Sequence, residues 1–260
     1  MIGLIAGAGK LPSIFREEAT KKGESVITIG VSGITDTNVD EEIPIGKVGT
    51  LIKTLKRRGV KRLVILGKFD QRILYTHFLS FDLKALKVLR MSKDRKPASL
   101  IKAFMNLLEE EGFEFIDPKP FLEGILADEG TMGRRKPSED ALEDGVFGFL
   151  IAKEIAEMDI GQTVVVKNRA VVAVEAMEGT QETIRRGGAL AGKGIRVVKV
   201  ARKSQDFRID VPTVGVDTLM VLKESGADAL FLEAGKVYIL EKEKFIRTAD
   251  RLGIPVVGLC

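Results

Sequence analysis

The sequence predicts an α/β protein of two domains, the first an open parallel sheet covered by helices. Three observations carry this. Strand and helix patterns alternate from the first residues to about residue 118, the pattern of a parallel sheet with crossover helices. Hydrophobic residues make up 45% of the chain and aromatic residues only 6%, so the core is built from Val, Ile, Leu and Ala, which fill buried parallel strands. At 260 residues the chain is also longer than one typical core requires.

Taken in order, Ile2 to Ala6 reads as the first strand, followed by a glycine turn at Gly7 to Gly9. A helix from about Pro12 to Lys22 ends at Gly23, and Ser25 to Ile29 is the second strand. A polar stretch leads to Gly46 to Gly49, a basic helix around Thr50 to Arg58, and a third strand over Lys61 to Leu66. Lys68 to Phe81, which contains His77, is expected as loop and short helix. The spacing of Leu100, Ile101, Phe104, Leu107 and Leu108 predicts a helix over Pro97 to Glu111, closed by Gly112 before a strand at Phe113 to Ile116. The glycine-bearing polar run from Asp128 to Pro137 then marks a hinge. Beyond it, Ser138 caps a helix reaching about Met158, and paired strands at Val164 to Val166 and Val171 to Glu175 flank Asn168-Arg169. A helix over Thr180 to Arg186, a strand at Arg196 to Val200, an irregular loop to Val216, a helix near Thr218 to Glu224 and two or three late strands complete the chain.

Composition narrows the chemistry. Lys and Arg exceed Asp and Glu by 41 to 37, and that excess lies in the first half. So small an excess, with no Trp and only two Tyr, argues against nucleic acid as a partner. The one cysteine, Cys260, forms no intrachain disulfide, which fits a reducing compartment. The one histidine, His77, leaves no histidine-based zinc site within a chain. The start, MIGLIAGAGKLP, reads as a buried strand rather than a signal peptide, and no apolar run reaches the ~18 residues of a membrane span.

Several groups are candidates for chemistry. Gly7, Gly9 and Lys10 sit at a strand-to-helix turn of the kind that lets a phosphate approach backbone N–H groups, although Pro12 stands where a third glycine would be. Either this turn meets a phosphate or nucleoside, or it holds a nicotinamide or flavin cofactor, or its glycines serve packing alone. Gly46 precedes a helix and is either a second ligand loop or a tight connection. Glu175, Glu178 and Thr180 lie where a strand passes into a helix, as ligand groups or as a solvated, capped turn. The stretch Lys203 to Thr218 is the most informative: Asp206, Asp210 and Asp217 share a loop with Lys203, Arg208 and Thr213, and Pro212 prevents a continuous helix. The carboxylates suit Mg²⁺, which takes one or two of them together with substrate phosphates, Lys203 and Arg208 suit phosphoryl oxygens, and Asp217 is alternatively a helix N-cap.

The blocks IAGAGKLP at residues 5 to 12, ADEGTMGRRKPSEDALEDGVFG at 127 to 148, DIGQTVVVKNRAVVAVEAMEGTQETIRRGG at 159 to 188 and KSQDFRIDVPTVGVDT at 203 to 218 together resemble the UDP-2,3-diacylglucosamine pyrophosphatases of lipid A synthesis, a family once known only as a domain of unknown function. The resemblance runs nearly end to end, weakest over residues 68 to 96. It implies a Rossmann-like N-terminal domain over 1–130, a hinge at 131–137, and an α/β domain of unusual fold over 138–260 that carries catalysis and forms a homodimer. It also implies Mg²⁺-dependent attack of water on the nucleotide α-phosphorus, giving 2,3-diacylglucosamine 1-phosphate (lipid X) and UMP, with catalysis falling by motif on Asp206 or Asp210. Residues 68 to 96 would then shape the acyl pocket. Such a substrate places the enzyme in the cytoplasm, peripheral to the inner leaflet, where Lys84, Lys87, Arg90, Lys93, Arg95 and Lys96 would meet anionic lipid. Two other readings compete: a dinucleotide-dependent oxidoreductase, and a nucleotide-sugar binding protein without turnover.

Overall fold

A computed structural model describes residues 1–69, 81–92, 97–203, 205–208 and 211–260. His77, Lys93, Arg95, Lys96 and Asp210 lie outside the described residues. The chain forms two compact units, one of residues 1–122 together with 206–210, the other of 123–205 and 211–260.

In the first unit, β1 (Ile2–Ala6), β2 (Val26–Val31), β3 (Glu41–Ile43), β4 (Arg62–Leu66) and β5 (Glu114–Phe115) form an all-parallel sheet in the order β3-β2-β1-β4-β5. Helices α1 (Leu11–Lys21), α2 (Val48–Arg57), α3 (Leu83–Met91), α4 (Pro97–Glu110) and α5 (Lys119–Leu122) accompany it. This is the order of a Rossmann-like half, reversing between β1 and β4. The sheet register sets Ile5 beside both Ile29 and Ile65, giving one apolar row across three strands. That row packs with Leu51, Leu55 and Val88 in a single core. Strand β3 and helix α3 have no counterpart in the sequence reading. A three-residue strand is recognisable only through its pairing with β2, and α3 is a short helix fixed at its start by Asp82, whose carboxylate accepts from Ala85 N at 2.9 Å.

The second unit has a mixed six-stranded sheet in the order β6-β13-β11-β9-β7-β8, from β6 (Gly130–Met132), β7 (Thr163–Lys167), β8 (Ala170–Val174), β9 (Ile195–Lys199), β11 (Ala227–Glu233) and β13 (Val256–Leu259). Strands β10 (Thr213–Val214) and β12 (Tyr238–Ile239) pair separately. Alternation along the strands divides the core. Val165, Val197, Leu230 and Leu232 belong to one cluster, and Val164, Val166, Val198 and Phe231 to another. Helix α6 (Glu139–Glu157) packs in the second, close enough that a Cβ on Gly145 would fall 2.5 Å from Phe231 Cε1. Helices α7 (Thr180–Ala191), α8 (Val216–Glu224) and α9 (Lys242–Leu252) complete the unit.

The β7–β8 hairpin turns through Asn168 and Arg169, both left-handed at φ 52° and 56°. Asp144 on α6 offsets this: its carboxylate accepts from Asn168 N at 2.9 Å and Arg169 N at 2.5 Å, and pairs with Arg196 at 3.0 Å. Helix α7 outruns its expected end at Arg186. Gly187 and Gly188 do not break it, because they let it lie against other chain: a Cβ on Gly187 would sit 2.6 Å from Val165, and one on Gly188 2.5 Å from Ser225 O. Helix α9 falls among the expected late strands, with Phe245, Thr248 and Ala249 buried at helical spacing beneath a charged face.

Candidate functional site

The glycine turn of the first unit has its backbone donors engaged by the chain itself. Gly7 N donates to Leu66 O at 2.8 Å, Ala8 N to Lys68 O at 2.9 Å and Gly9 N to the Asp36 carboxylate at 2.8 Å. A Cβ on Gly7 would lie 2.6 Å from Lys68 O, so this glycine permits close backbone packing at the point where the sheet order reverses. Lys10 occupies the N-cap position of α1. The second glycine loop is arranged similarly. Gly49 N donates to Asp82 Oδ2 at 2.7 Å, and a Cβ on Gly46 would meet Phe81 at 2.5 Å. At both loops a carboxylate of the chain accepts from a backbone N–H of the turn.

Behind the second loop lies an apolar cavity of about 170 Å³, with Ile5, Ile29 and Ile65 from the sheet, Phe69 and Phe81, and Leu100, Ile101 and Phe104 from α4 in its wall. Ala85, Val88 and Leu89 of α3 contribute as well. The cavity thus sits over the isoleucine row, near the carboxyl ends of parallel strands, where open α/β sheets commonly hold ligands.

Residues 206–208 belong to the same unit. Arg208 clasps Asp206 in a two-pronged pair, Nε to Oδ1 at 2.9 Å and Nη2 to Oδ2 at 2.8 Å, and its backbone N–H donates to Oδ1 at 3.1 Å. The guanidinium hydrogen bond holds the Asp206 carboxyl below the usual carboxylate range, and the charge of Lys102 on α4 adds to the effect. Arg208 is raised in turn, chiefly by its hydrogen bond to Asp206, with the charges of Glu109 and Asp117 contributing. Lys119 lies 6.0 Å from the ring of Phe207. Helix α4 therefore carries both apolar residues of the cavity wall and a cation whose field reaches Asp206.

The second unit gathers its polar groups at one edge of its sheet. Thr163 opens β7 directly opposite Lys199, which closes β9. Lys199 Nζ donates to Thr180 Oγ1 at 2.8 Å and Thr163 Oγ1 at 3.4 Å and stands 3.9 Å from the Glu175 carboxylate. Glu175 also accepts from Thr180 Oγ1 at 2.9 Å and Gln162 N at 3.3 Å. Both Lys199 and Thr163 are buried, which makes this a closed cluster of charge and hydroxyl rather than a solvated turn. Beside it, Glu233 closes β11 and holds Lys153 at 2.9 Å while accepting from Ala201 N at 2.8 Å.

Of the sequence candidates, Glu175 and Thr180 come together in that cluster. Glu178 instead fixes the turn into α7: its carboxyl is lowered by hydrogen bonds from its own backbone N–H, from Arg186 and from Ala176 N. Lys203 is exposed, and its backbone N–H donates to Glu157. Thr213 lies in β10, and Asp217 falls in the first turn of α8 after its N-cap at Gly215. Sequence reasoning missed Lys199, Thr163, Lys153 and Glu233. For Thr163, Lys199 and Glu233 the signal is a charged or hydroxylic residue at the end of a valine- or leucine-rich strand, as in TVVVK, IRVVK and ADALFLE, whereas Lys153 lies within helix α6 and carries no such signal.

Oxygen donors suit Mg²⁺, and Asp206 is anionic and about a third exposed, so it fits such an ion in kind. Among the described residues no group of three or more His, Cys, Asp or Glu is placed to hold a metal alone.

The all-parallel Rossmann-like sheet of the first unit and the mixed sheet of the second define a protein of two α/β domains. Residues 1–125 match the profile of the LpxI N-terminal domain and residues 128–257 that of the LpxI C-terminal domain. The chain belongs to the LpxI family. It is 29% identical to the UDP-2,3-diacylglucosamine pyrophosphatase LpxI of Caulobacter vibrioides over 273 aligned positions, covering 99% of this chain and 97% of that protein. Among solved structures it is similar to CobK precorrin-6A reductase, at 12% identity and a TM-score of 0.30 over 100% of this chain and 87% of that one. It is also similar to a biotin carboxylase from Campylobacter jejuni, at 11% identity and a TM-score of 0.21 over 73% and 42% of the two chains. Likenesses this slight bear on neither activity nor ligand.

Proposed function

We propose that this chain hydrolyses the pyrophosphate of UDP-2,3-diacylglucosamine to 2,3-diacylglucosamine 1-phosphate (lipid X) and UMP. Water attacks the nucleotide α-phosphorus, the bond from that phosphorus to the bridging oxygen breaks, and the bridging oxygen leaves with the lipid product. Family membership supports the reaction. The observation that carries the site assignment is that α4 supplies apolar residues to the 170 Å³ cavity and a cation whose field reaches the Asp206–Arg208 pair. A diacylated sugar phosphate needs both an apolar cavity and phosphate-handling charge.

In this reading Arg208 offsets charge on the phosphoryl oxygens. Asp206 and Asp210 would hold Mg²⁺, which when bound adds positive charge at those oxygens. Asp206, kept ionised by Arg208, is the group that orients water or metal. The Glu175–Thr180–Lys199 cluster braces the edge of the second sheet, and the cavity of the first unit accepts acyl chain. The chain acts as a homodimer through the second unit, where Leu142, Val146 and Leu150 form an exposed apolar stripe along α6. Among the described residues no helix is long and apolar enough to cross a membrane. We place the enzyme in the cytoplasm at the surface of the inner leaflet, where its lipid substrate resides.

The test is phosphorus NMR with purified protein, UDP-2,3-diacylglucosamine and Mg²⁺ in ¹⁸O-enriched water beside an EDTA control. Metal-dependent loss of the pyrophosphate signal with label in UMP is the expected result. Label in the lipid product would overturn the site of attack, and intact substrate would overturn the reaction.

A further inference from the structure

Helix α3 has two unlike apolar sides. Ala85, Val88 and Leu89 turn inward and line the cavity. Leu83, Leu86 and Arg90 recur at spacings of three and four residues on the opposite side, and Leu83 is 86% exposed and Leu86 41% exposed. A single exposed leucine is ordinary, but two on one helical face, with Lys87 and Arg90 exposed beside them, form the pattern of a helix lying at a lipid–water boundary. Charge alone is a poor account of this face. Lys84 pairs with Glu111, and Lys87 pairs with Glu110 at 2.7 Å, so glutamates of the same unit partly neutralise the lysines. Arg90 pairs with no carboxylate among the described residues.

We propose that the outer face of α3 docks on a phospholipid bilayer, with Leu83 and Leu86 entering the headgroup–acyl boundary and Arg90 meeting lipid phosphate. The inference rests on the reading that the cavity accepts acyl chain. That reading selects a bilayer as the occupant: the helix whose outer face carries exposed leucines has an inner face that walls the cavity, so a lipid leaving the membrane has apolar surface on both sides of α3. Attraction of Arg90 to phosphate weakens with salt, whereas entry of the leucines does not.

The experiment compares the parent chain with the Leu83→Glu/Leu86→Glu double variant by flotation on vesicles of phosphatidylethanolamine and phosphatidylglycerol. Hydrolysis is followed on substrate embedded in those vesicles and on substrate in detergent micelles. Neither leucine lines the cavity and both are exposed, and circular dichroism checks the fold. The expected result is at least a tenfold loss of vesicle binding and of vesicle-bound turnover, with turnover in micelles within about twofold of the parent. A parent chain that does not float overturns the proposal, as does a variant that floats equally well or a variant whose only change is in self-association. Absence of hydrolysis by the parent in micelles would remove the proposed reaction but not the flotation comparison, so the two failures are distinguishable.

Discussion

Replacing Asp206 by Asn separates a catalytic carboxylate from one that merely ties down its loop. The structural stake follows from geometry. Asp206 accepts two guanidinium hydrogen bonds, at 2.9 and 2.8 Å, and one backbone bond at 3.1 Å, and the side chains of Asp206 and Arg208 are 35% and 41% exposed. Solvent screens a pair this open, so the charge lost is worth roughly 0.2 to 1 kcal/mol of stability, and Asn retains an oxygen able to accept one of the bonds. In a chain of this size that shifts Tm by no more than about 2 to 4 °C. Loss of a group that stabilises charge in the transition state costs on the order of a hundredfold or more in kcat. The assay pairs thermal melting with UMP release under saturating Mg²⁺ and substrate. The expected result is a small melting shift, KM within about threefold of the parent, and kcat down at least about a hundredfold. Near-parental kcat refutes the catalytic assignment. So does a loss of activity that only follows the folded fraction.

Further outcomes are expected elsewhere. Lys199→Met leaves the Glu175 carboxylate without its buried cation and should destabilise the protein by on the order of 3 kcal/mol in urea unfolding, less in a Glu175→Gln background; strictly additive effects would show that the two are uncoupled. Ala85→Phe projects a ring into the apolar cavity and should raise KM for the diacyl substrate about tenfold or more with a smaller change in kcat, whereas unchanged KM would place the acyl chain elsewhere. Hydrogen bonds from Lys56 and Lys84 hold the Glu111 carboxyl at about 2, below its ordinary 4.5. Since the folded value is the lower one, this stabilisation is complete above about pH 4.5 and is lost as pH falls toward 2. Glu111→Gln should therefore flatten the acid limb of stability against pH, and parallel curves for variant and parent would contradict it.

The elements legible in the sequence were those whose apolar spacing spans several turns or a whole buried strand. IGLIA and RLVIL declare themselves as strands, and the Leu100-to-Leu108 stripe declares α4. Ser138 was legible as a cap because its hydroxyl accepts from Ala141 N at 3.2 Å, a local bond written within four residues. Gly187-Gly188 misled because a glycine pair has the same appearance whether it ends a helix or lets one approach a neighbouring chain segment. Only the placement of Val165 and Ser225 decides which. The groupings at the candidate site were half legible for the same reason. Asp206 and Arg208 are two residues apart and pair locally, whereas Lys199, Thr163 and Glu175 meet only when β7, β8 and β9 assemble. Nor does the sequence show that Asp36 and Asp82, distant from the glycine turns they meet, accept from Gly9 N and Gly49 N.

The assignment of residues 206–210 to the first unit, between flanks that belong to the second, has a practical consequence for dissecting the protein. The boundary is crossed after residue 122, after 205 and again after 210. A fragment ending at Leu122 would retain the cavity and the parallel sheet but lack Asp206 and Arg208, while a fragment beginning at Glu123 would carry that segment without the unit it folds with. Neither half, expressed alone, is a fair test of what its domain does, and complementation between the halves in trans would have to restore an insertion that the intact chain supplies by threading.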